Sequence, residues 1–566
     1  MIRDIRFPFL DRHHLSEGQI FFALTILLGI LCALASVLFT LAIDYTRQGL
    51  FGLAPSSLRL LLVPALVSLG TGYLLAKFFP DARGSGIPQT EAAYHLNGGE
   101  IPARVPLGKF LTGALCVGSG HSMGREGPCV QIGGGLASVL GKWLRLSPTH
   151  VKNLVPVGAA AALSAAFNTP VAAVLFALEE LIGDLNAALL GSTVVASVTA
   201  VIVERSILGN EPLFHVPEYH LVHPAELLAY AGLGIAGGII SVLFCKGLLQ
   251  TRAGFKRMRA STVIFQPAIG GLIIGIILIF VPQVMGVGYE FVDQALNGGL
   301  LLKTMLLLCF VKLAATIISY ASGNAGGIFA PSLYLGAMAG GVVGVIVHSY
   351  APFPTAEPGA YALVGMGTLF AGIIRAPITS VFMIFELTQD YQILVPLMVA
   401  NLLSFVISRH YQPTPVYHAL LEQDHVHLPG PESRMVAATT WRARDIMARE
   451  LSFIPPESSV EDAWKSAAGN RSECYLVGGR EKLAGLVTHE EIEEAMRSGR
   501  ATASVTTLLD DGWMHVYPDH PLELALNRFK QNPGLLPVLS RSGYRRVEGV
   551  ITRETIMQFL ATNPQE

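Results

Sequence analysis

The chain has 566 residues, 51% hydrophobic and 14% charged, with a mean hydropathy of +0.50 and a formal net charge of −2. Soluble domains carry about 25% charged residues, so this composition argues against a large soluble enzyme, and the length exceeds one domain. The near-neutral balance gives no reason to expect nucleic acid as a partner.

Taken in order, the chain opens with a segment, 1–18, that carries Arg3, Arg6, Asp11 and Arg12 and no cleavable signal pattern. Basic residues ahead of a span predict a cytoplasmic start. The first apolar stretch, 21–41, is long enough to span a bilayer. Further candidates follow at 60–79, 227–249, 263–281, 300–318 and 394–407. Between them lie shorter Gly- and Ala-rich pieces, 130–140 and 160–166, which fit re-entrant or tilted helices inside protein. The segment 252–259 carries Arg252, Lys256, Arg257 and Arg259 and is expected in the cytoplasm. The loop 209–226 has no Lys or Arg and is expected outside.

After the last apolar stretch, Pro413, Pro415, Pro429, Gly430 and Pro431 punctuate the chain, with His425 and His427 between them. This marks the end of the membrane part and a linker, 421–433. From 434 to 566 the pattern is soluble α/β with its own repeat. Gly485-Leu486-Val487-Thr488 precedes a helical stretch, and so does Gly549-Val550-Ile551-Thr552, 64 positions later.

Three segments stand out for their Gly and Pro content. They are Gly84-Ser85-Gly86-Ile87-Pro88, Gly124-Arg125-Glu126-Gly127-Pro128 and Gly327-Ile328-Phe329-Ala330-Pro331. Each reads as the start of a broken helix, where free N–H groups attract an anion without any cation. Glu126 stands in an apolar stretch, and an ionisable group at membrane depth is costly. A structural carboxylate would pair with Arg125. A functional one would compete with an anion of the same charge for one position. Protonation would neutralise Glu126 and free that position, and burial makes the protonated form accessible. Arg125 reads as structural, because a cation in the path would hold an anion too tightly.

An internal repeat is legible. Residues 170–179 read PVAAVLFALE and 377–386 read PITSVFMIFE, 207 positions apart. Pro128 and Pro331, which close two of the Gly/Pro segments, are 203 apart. Two halves with broken helices predict a midplane site at their interface.

These segments closely resemble the signature motifs of the ClC family of chloride channels and chloride/proton antiporters. So do Ala166-Phe167-Asn168-Thr169-Pro170 leading to Glu179-Glu180, Arg375-Ala376-Pro377 leading to Glu386, and Pro415-Val416-Tyr417. They follow the family's order from about residue 19 to 418. The resemblance implies an all-α polytopic membrane domain at 19–420, built as two inverted repeats with broken and re-entrant helices. It also implies an α/β tandem CBS pair at 434–566. It places the external gating glutamate at Glu126 and the internal proton-transfer glutamate at Glu180. Chloride would be bound by the hydroxyls of Ser85 and Tyr417 and the amides of Ile328 and Phe329. Serine at 85 goes with chloride preference, where proline goes with nitrate.

Plainer readings stand beside these. Ser85 before Ile-Pro suits a helix N-cap. Gly327 to Pro331 suits simple helix initiation, and Tyr417 suits an interfacial anchor. Glu179 recurs as Glu386 and so suits an architectural role, whereas Glu180 has no counterpart, since Leu387 follows Glu386. Having both Glu126 and Glu180 favours chloride/proton antiport. The alternative on the same fold is a passive, voltage- or pH-gated chloride channel. A cation transporter or a membrane enzyme would need clustered acidic ligands or a nucleophile with a base, and the sequence has neither pattern. The resemblance further implies a homodimer in a bilayer, here a bacterial inner membrane, with the CBS pair in the cytoplasm. CBS pairs bind adenine nucleotides through a Thr or Ser and an Asp three positions on. Thr488 is followed by Glu491 and Thr552 by Thr555, so neither copy has the Asp; the expectation is a dimerisation module without a cofactor, with an adenine nucleotide at the CBS pair as the alternative. His121, five residues before Glu126, reads as a satisfied polar residue or as a group that tunes the gate. The six cysteines show no pairing or metal spacing.

Overall fold

The computed structural model describes residues 17–52, 55–183, 187–210, 213–214, 216–217, 219, 221–388, 391–428, 441–467, 474–509, 513–531, 534–540 and 545–562. The N-terminal charged residues Arg3, Arg6, Asp11 and Arg12, the linker residues Pro429, Gly430 and Pro431, and the expected start of the C-terminal domain at 434 lie outside these. The described residues fall into two compact units, one reaching Leu428 and one from Trp441 onward.

The first unit is helical. Its first half comprises α1 (Glu17–Phe51), α2 (Ser57–Lys77), α3 (Ile87–Leu96), α4 (Arg104–Gly118), α5 (Glu126–Trp143), α6 (Pro148–Phe167), α7 (Pro170–Phe176) and α8 (Ala187–Leu208). Its second half comprises α9 (Glu226–Lys256), α10 (Gln266–Phe280), α11 (Tyr289–Leu296), α12 (Leu302–Ala321), α13 (Phe329–Tyr350), α14 (Pro358–Ile373), α15 (Pro377–Thr388) and α16 (Leu394–Tyr411). A short α17 (Val416–Gln423) follows. Packing repeats with the sequence: α5 lies on α6 and α1 on α6 and α8, while α13 lies on α14 and α9 on α14 and α16. Helices α2 and α10 touch each other, as do α7 and α15. Elements that pair with their own counterparts lie about a two-fold axis relating the halves.

Small residues make this packing possible. A Cβ on Gly133 would come 2.3 Å from the Gly158 carbonyl oxygen, and one on Gly336 would come 2.2 Å from that of Gly365. The α5–α6 and α13–α14 crossings therefore bring backbone against backbone, the close approach typical of helices packed in lipid. The same small residues dilute the hydropathy, which is why α8 and α13 did not stand out as spans in the sequence. Both are long and apolar enough to cross, along with α1, α2, α9, α12 and the α16–α17 stretch. The 130–140 and 160–166 pieces lie within α5 and α6, which are buried along most of their length. Large apolar side chains such as Leu38, Leu66, Ile239 and Phe310 face outward, as lipid contact requires. The loop before Glu226 and the basic segment from Arg252 flank opposite ends of α9. All six cysteines are buried and none forms a disulfide.

The second unit has α18 (Ala443–Ile446), β1 (Phe453–Ile454), α19 (Val460–Ala467), β2 (Cys474–Gly479), β3 (Lys482–Thr488) and α20 (His489–Arg497), then α21 (Leu522–Gln531), β4 (Leu535–Leu539), β5 (Val547–Thr552) and α22 (Arg553–Thr562). Strand β2 pairs parallel to β1 and antiparallel to β3, and β4 pairs antiparallel to β5. The repeated strand–Thr–helix units are β3–Thr488–α20 and β5–Thr552–α22. In the first, Thr488 Oγ1 accepts from the Glu491 N–H at 3.2 Å and Glu491 Oε2 accepts from the Thr488 N–H at 2.7 Å, a capping box. In the second, Thr552 and Thr555 cap each other in the same sense. The position three residues after each Thr is thus engaged in holding its own helix.

Candidate anion site at three helix starts

The three Gly/Pro segments, distant in sequence, are joined by backbone hydrogen bonds. Gly84 N–H donates to Asn324 O at 3.2 Å, and Gly326 N–H to Gly84 O at 3.0 Å. Gly124 and Gly327 exchange both of their bonds at 2.8 Å. The starts of α3, α5 and α13 therefore meet. Gly84 and Gly86 have φ of 77° and 104°, backbone that other residues rarely adopt. A Cβ on Gly127 would lie 2.4 Å from Ser85 Oγ and 3.3 Å from Gly327 Cα. Only glycine lets the three segments close on one another here.

Glu126, the first residue of α5, is fully buried. The Tyr289 hydroxyl donates to its Oε1 at 2.5 Å. Its Oε2 lies beside the Ala330 N–H at the start of α13 without completing a hydrogen bond there. A Cβ on Gly124 would meet that Oε2 at 2.3 Å, so the glycine makes room for the carboxylate. The amides that open α13 at Ile328, Phe329 and Ala330 have no acceptor within the helix, and Pro331 has none to offer. The carboxylate therefore stands where orphan amides would receive an anion.

Ser85 is buried, and its hydroxyl has no hydrogen-bond partner among the described residues. The cap of α3 is Gly86, whose N–H donates to Gln89 Oε1 at 2.9 Å. The N-cap reading of Ser85 is thus replaced: the chain turns one residue later than Ser-before-Ile-Pro suggests, and the hydroxyl is spare. Tyr417, the second residue of α17, is also fully buried. Its hydroxyl neighbours Ser85 and completes no hydrogen bond. A buried tyrosine is no interfacial anchor. Two spare hydroxyls side by side form a place for an acceptor. Ile328 and Phe329 are buried too, and the Phe329 ring contacts those of Phe167, Phe176 and Phe370 at 5.0, 5.6 and 4.5 Å.

The adjacent glutamates part company. After Phe176, α7 continues as a π-turn through Ala177–Ile182, which offsets neighbouring side chains. Glu179 accepts from the N–H groups of Ile378 and Thr379 at 3.2 and 2.8 Å and from the Thr379 hydroxyl at 2.7 Å. Glu386 reciprocates, accepting from Val171 and Ala172 N–H at 2.8 and 2.7 Å. Each repeat's glutamate caps the other repeat's helix. Glu180 is buried instead, with Tyr417 and Arg375 within electrostatic reach.

Arg125 donates to Thr40 Oγ1 at 3.1 Å and to Ala166 O at 3.2 Å, and its guanidinium covers the Tyr289 ring at 5.8 Å. It also lines a cavity of about 220 Å³ with Glu204, Thr40 and Asn168. His121 is buried and shared between Ser68, at 2.6 Å, and Ser319, at 3.3 Å; it is a satisfied member of a polar cluster.

Sequence reasoning missed three residues here, two buried lysines and one part-buried tyrosine. Lys109 Nζ donates to Ala82 O and Gly84 O at 2.9 and 2.5 Å. Lys312 Nζ donates to Val284, Gly286 and Val287 carbonyls at 3.1, 2.7 and 3.2 Å. Each lysine turns carbonyls that would repel an anion toward itself. The third is Tyr289. A signal existed: the two lysines stand 203 positions apart, the offset of the repeat. By the same offset, within a position, Gly286-Val287-Gly288-Tyr289 mirrors Gly84-Ser85-Gly86-Ile87.

Comparison with known proteins agrees with this geometry. Residues 65–409 match the family described as Voltage gated chloride channel, and residues 443–498 and 509–562 each match the CBS domain. A protein of Ralstonia nicotianae, named as a ClcB-like chloride channel, is 36% identical over 66% of this chain and 88% of its own. The H(+)/Cl(-) exchange transporter ClcA of Vibrio cholerae is 31% identical over 75% of this chain and 93% of its own. The crystal structure of a slow cyanobacterial Cl-/H+ antiporter superposes with a TM-score of 0.65 and 29% identity, covering 71% of this chain and 97% of the other. A eukaryotic CLC transporter superposes over 94% of this chain and 97% of its own, with a TM-score of 0.63 and 20% identity, a likeness of fold alone.

Proposed function

Because this chain belongs to the voltage gated chloride channel family, we propose that it is a multi-pass membrane protein that exchanges chloride for protons, with Glu126 as the gate. The observation that carries the reading is the Glu126 carboxylate, which fills an anion's place at the starts of α5 and α13. Protonated, it is neutral and can leave; chloride then takes the amides of Ile328 and Phe329. The hydroxyls of Ser85 and Tyr417 form the inner chloride position. Glu180 hands protons from the cytoplasmic side toward Glu126. It supports this division of labour that Glu179 is held at a helix start, whereas Glu180 is buried near Tyr417. The membrane domain is assigned to 19–420, a linker to 421–433 and a tandem CBS pair to 434–566. The protein is assigned to a bacterial inner membrane as a homodimer, with the CBS pair in the cytoplasm.

The test is flux in proteoliposomes. A chloride gradient should drive protons uphill in the native protein. Glu126→Gln imitates the protonated gate, so chloride should still move while proton movement and its pH dependence disappear. Chloride flux with no proton movement in the native protein would instead identify a passive channel.

A further inference from the structure

Resting on the gate reading above, we propose that Tyr289 is a positioning residue of the transport cycle. Its hydroxyl latches the ionised Glu126 in the anion's place, and so sets the pH and the chloride concentration at which the pathway opens.

Tyr289 opens α11 within the second-half counterpart of Gly84-Ser85-Gly86-Ile87. In the first half, that segment turns the spare Ser85 hydroxyl toward the site. In the second half, the equivalent position is Val287, which has no donor. The donor comes from Tyr289 two residues on, and it is already engaged with Glu126 Oε1 at 2.5 Å. The ring is clamped: Phe214 meets it edge-on at 5.3 Å and the Arg125 guanidinium covers it at 5.8 Å. The hydroxyl therefore stays behind when the carboxylate swings out, and this bond exists only in the closed state.

Other charged or titratable groups near Glu126 are Arg125 just before α5, Cys129 on α5, Lys312 on α12 and Tyr417 on α17. Among the described side chains, Tyr289 alone has a hydrogen bond to the carboxylate. A donor favours the ionised acceptor over the neutral one. A bond of this kind shifts an equilibrium by about tenfold or more.

Tyr289→Phe keeps the ring and removes the donor. The pH midpoint of chloride flux should rise by about one unit. Chloride affinity by calorimetry should rise about tenfold, because the competing carboxylate is held less firmly. In the Glu126→Gln background both effects should vanish. An unmoved midpoint and affinity in Tyr289→Phe, while Glu126→Gln uncouples transport, would overturn the latch and leave the gate standing. Equal effects in both backgrounds would also overturn it, since Tyr289 would then act elsewhere. Coupling left intact in Glu126→Gln sinks the gate reading and the latch with it. Should Tyr289→Phe not assemble, a fluorinated tyrosine at position 289, a stronger donor, must move the midpoint to lower pH; an unmoved midpoint there is equally fatal.

Discussion

The reciprocal capping of α7 and α15 separates a structural carboxylate from a working one along adjacent positions. Glu179 accepts three hydrogen bonds at the start of α15, and Glu386 accepts two at the start of α7. Glutamine keeps one carbonyl oxygen and presents an amide NH₂ to an N–H that had an acceptor. Each substitution thus loses about one charge-assisted bond, worth ~1.5–3 kcal/mol, and the attraction of a negative charge for a helix start, ~0.3–1 kcal/mol. Both sites are only part-buried, so the lower ends of these ranges apply and the expected loss is about 2 kcal/mol. Thermal unfolding in detergent, run beside chloride-driven proton uptake in proteoliposomes, reads both quantities. Glu179→Gln and Glu386→Gln should each melt earlier and keep proton coupling. Glu180→Gln should keep its melting temperature and lose proton flux. The reasoning fails if Glu179→Gln uncouples transport at unchanged stability, or if Glu386→Gln costs nothing.

Two more outcomes are expected. Ser85→Pro removes a spare hydroxyl worth on the order of 1 kcal/mol to a bound anion, so nitrate should gain several-fold over chloride without loss of transport; an unchanged flux ratio at matched expression would remove Ser85 from the site. In the C-terminal unit, burial, together with the nearby Arg528 and Arg545, holds the His515 imidazole below its usual range. The folded form resists a proton that the unfolded chain accepts, so this unit should lose stability as pH falls below about 6.5. Hydrogen exchange of full-length protein should show that loss for 513–540, and His515→Gln should flatten it.

Much was legible because membrane burial leaves few alternatives. An apolar chain that must satisfy its backbone forms helices, and Gly with Pro marks where those helices break. The paired motifs at 170–179 and 377–386 declared two halves, and Glu126 declared itself by being a carboxylate in apolar company. The C-terminal repeat was equally plain, since a strand, a Thr cap and a helix are local signals. Burial, partnering and direction were decided only by the tertiary structure. Ser85 looked like a cap until the turn placed Gly86 there. Glu179 and Glu180 share a local sequence environment, yet one reaches across to another helix and the other turns inward. Lys109 and Lys312 went unremarked in the sequence, and only packing shows them enclosed around carbonyls. Tyr289 stood only in a faint repeat of the Gly84 segment, and it meets Glu126 across 163 positions. Local sequence specifies φ, ψ and periodicity. Which side chains face one another across two repeats depends on how the repeats dock, and that is a property of the packed whole.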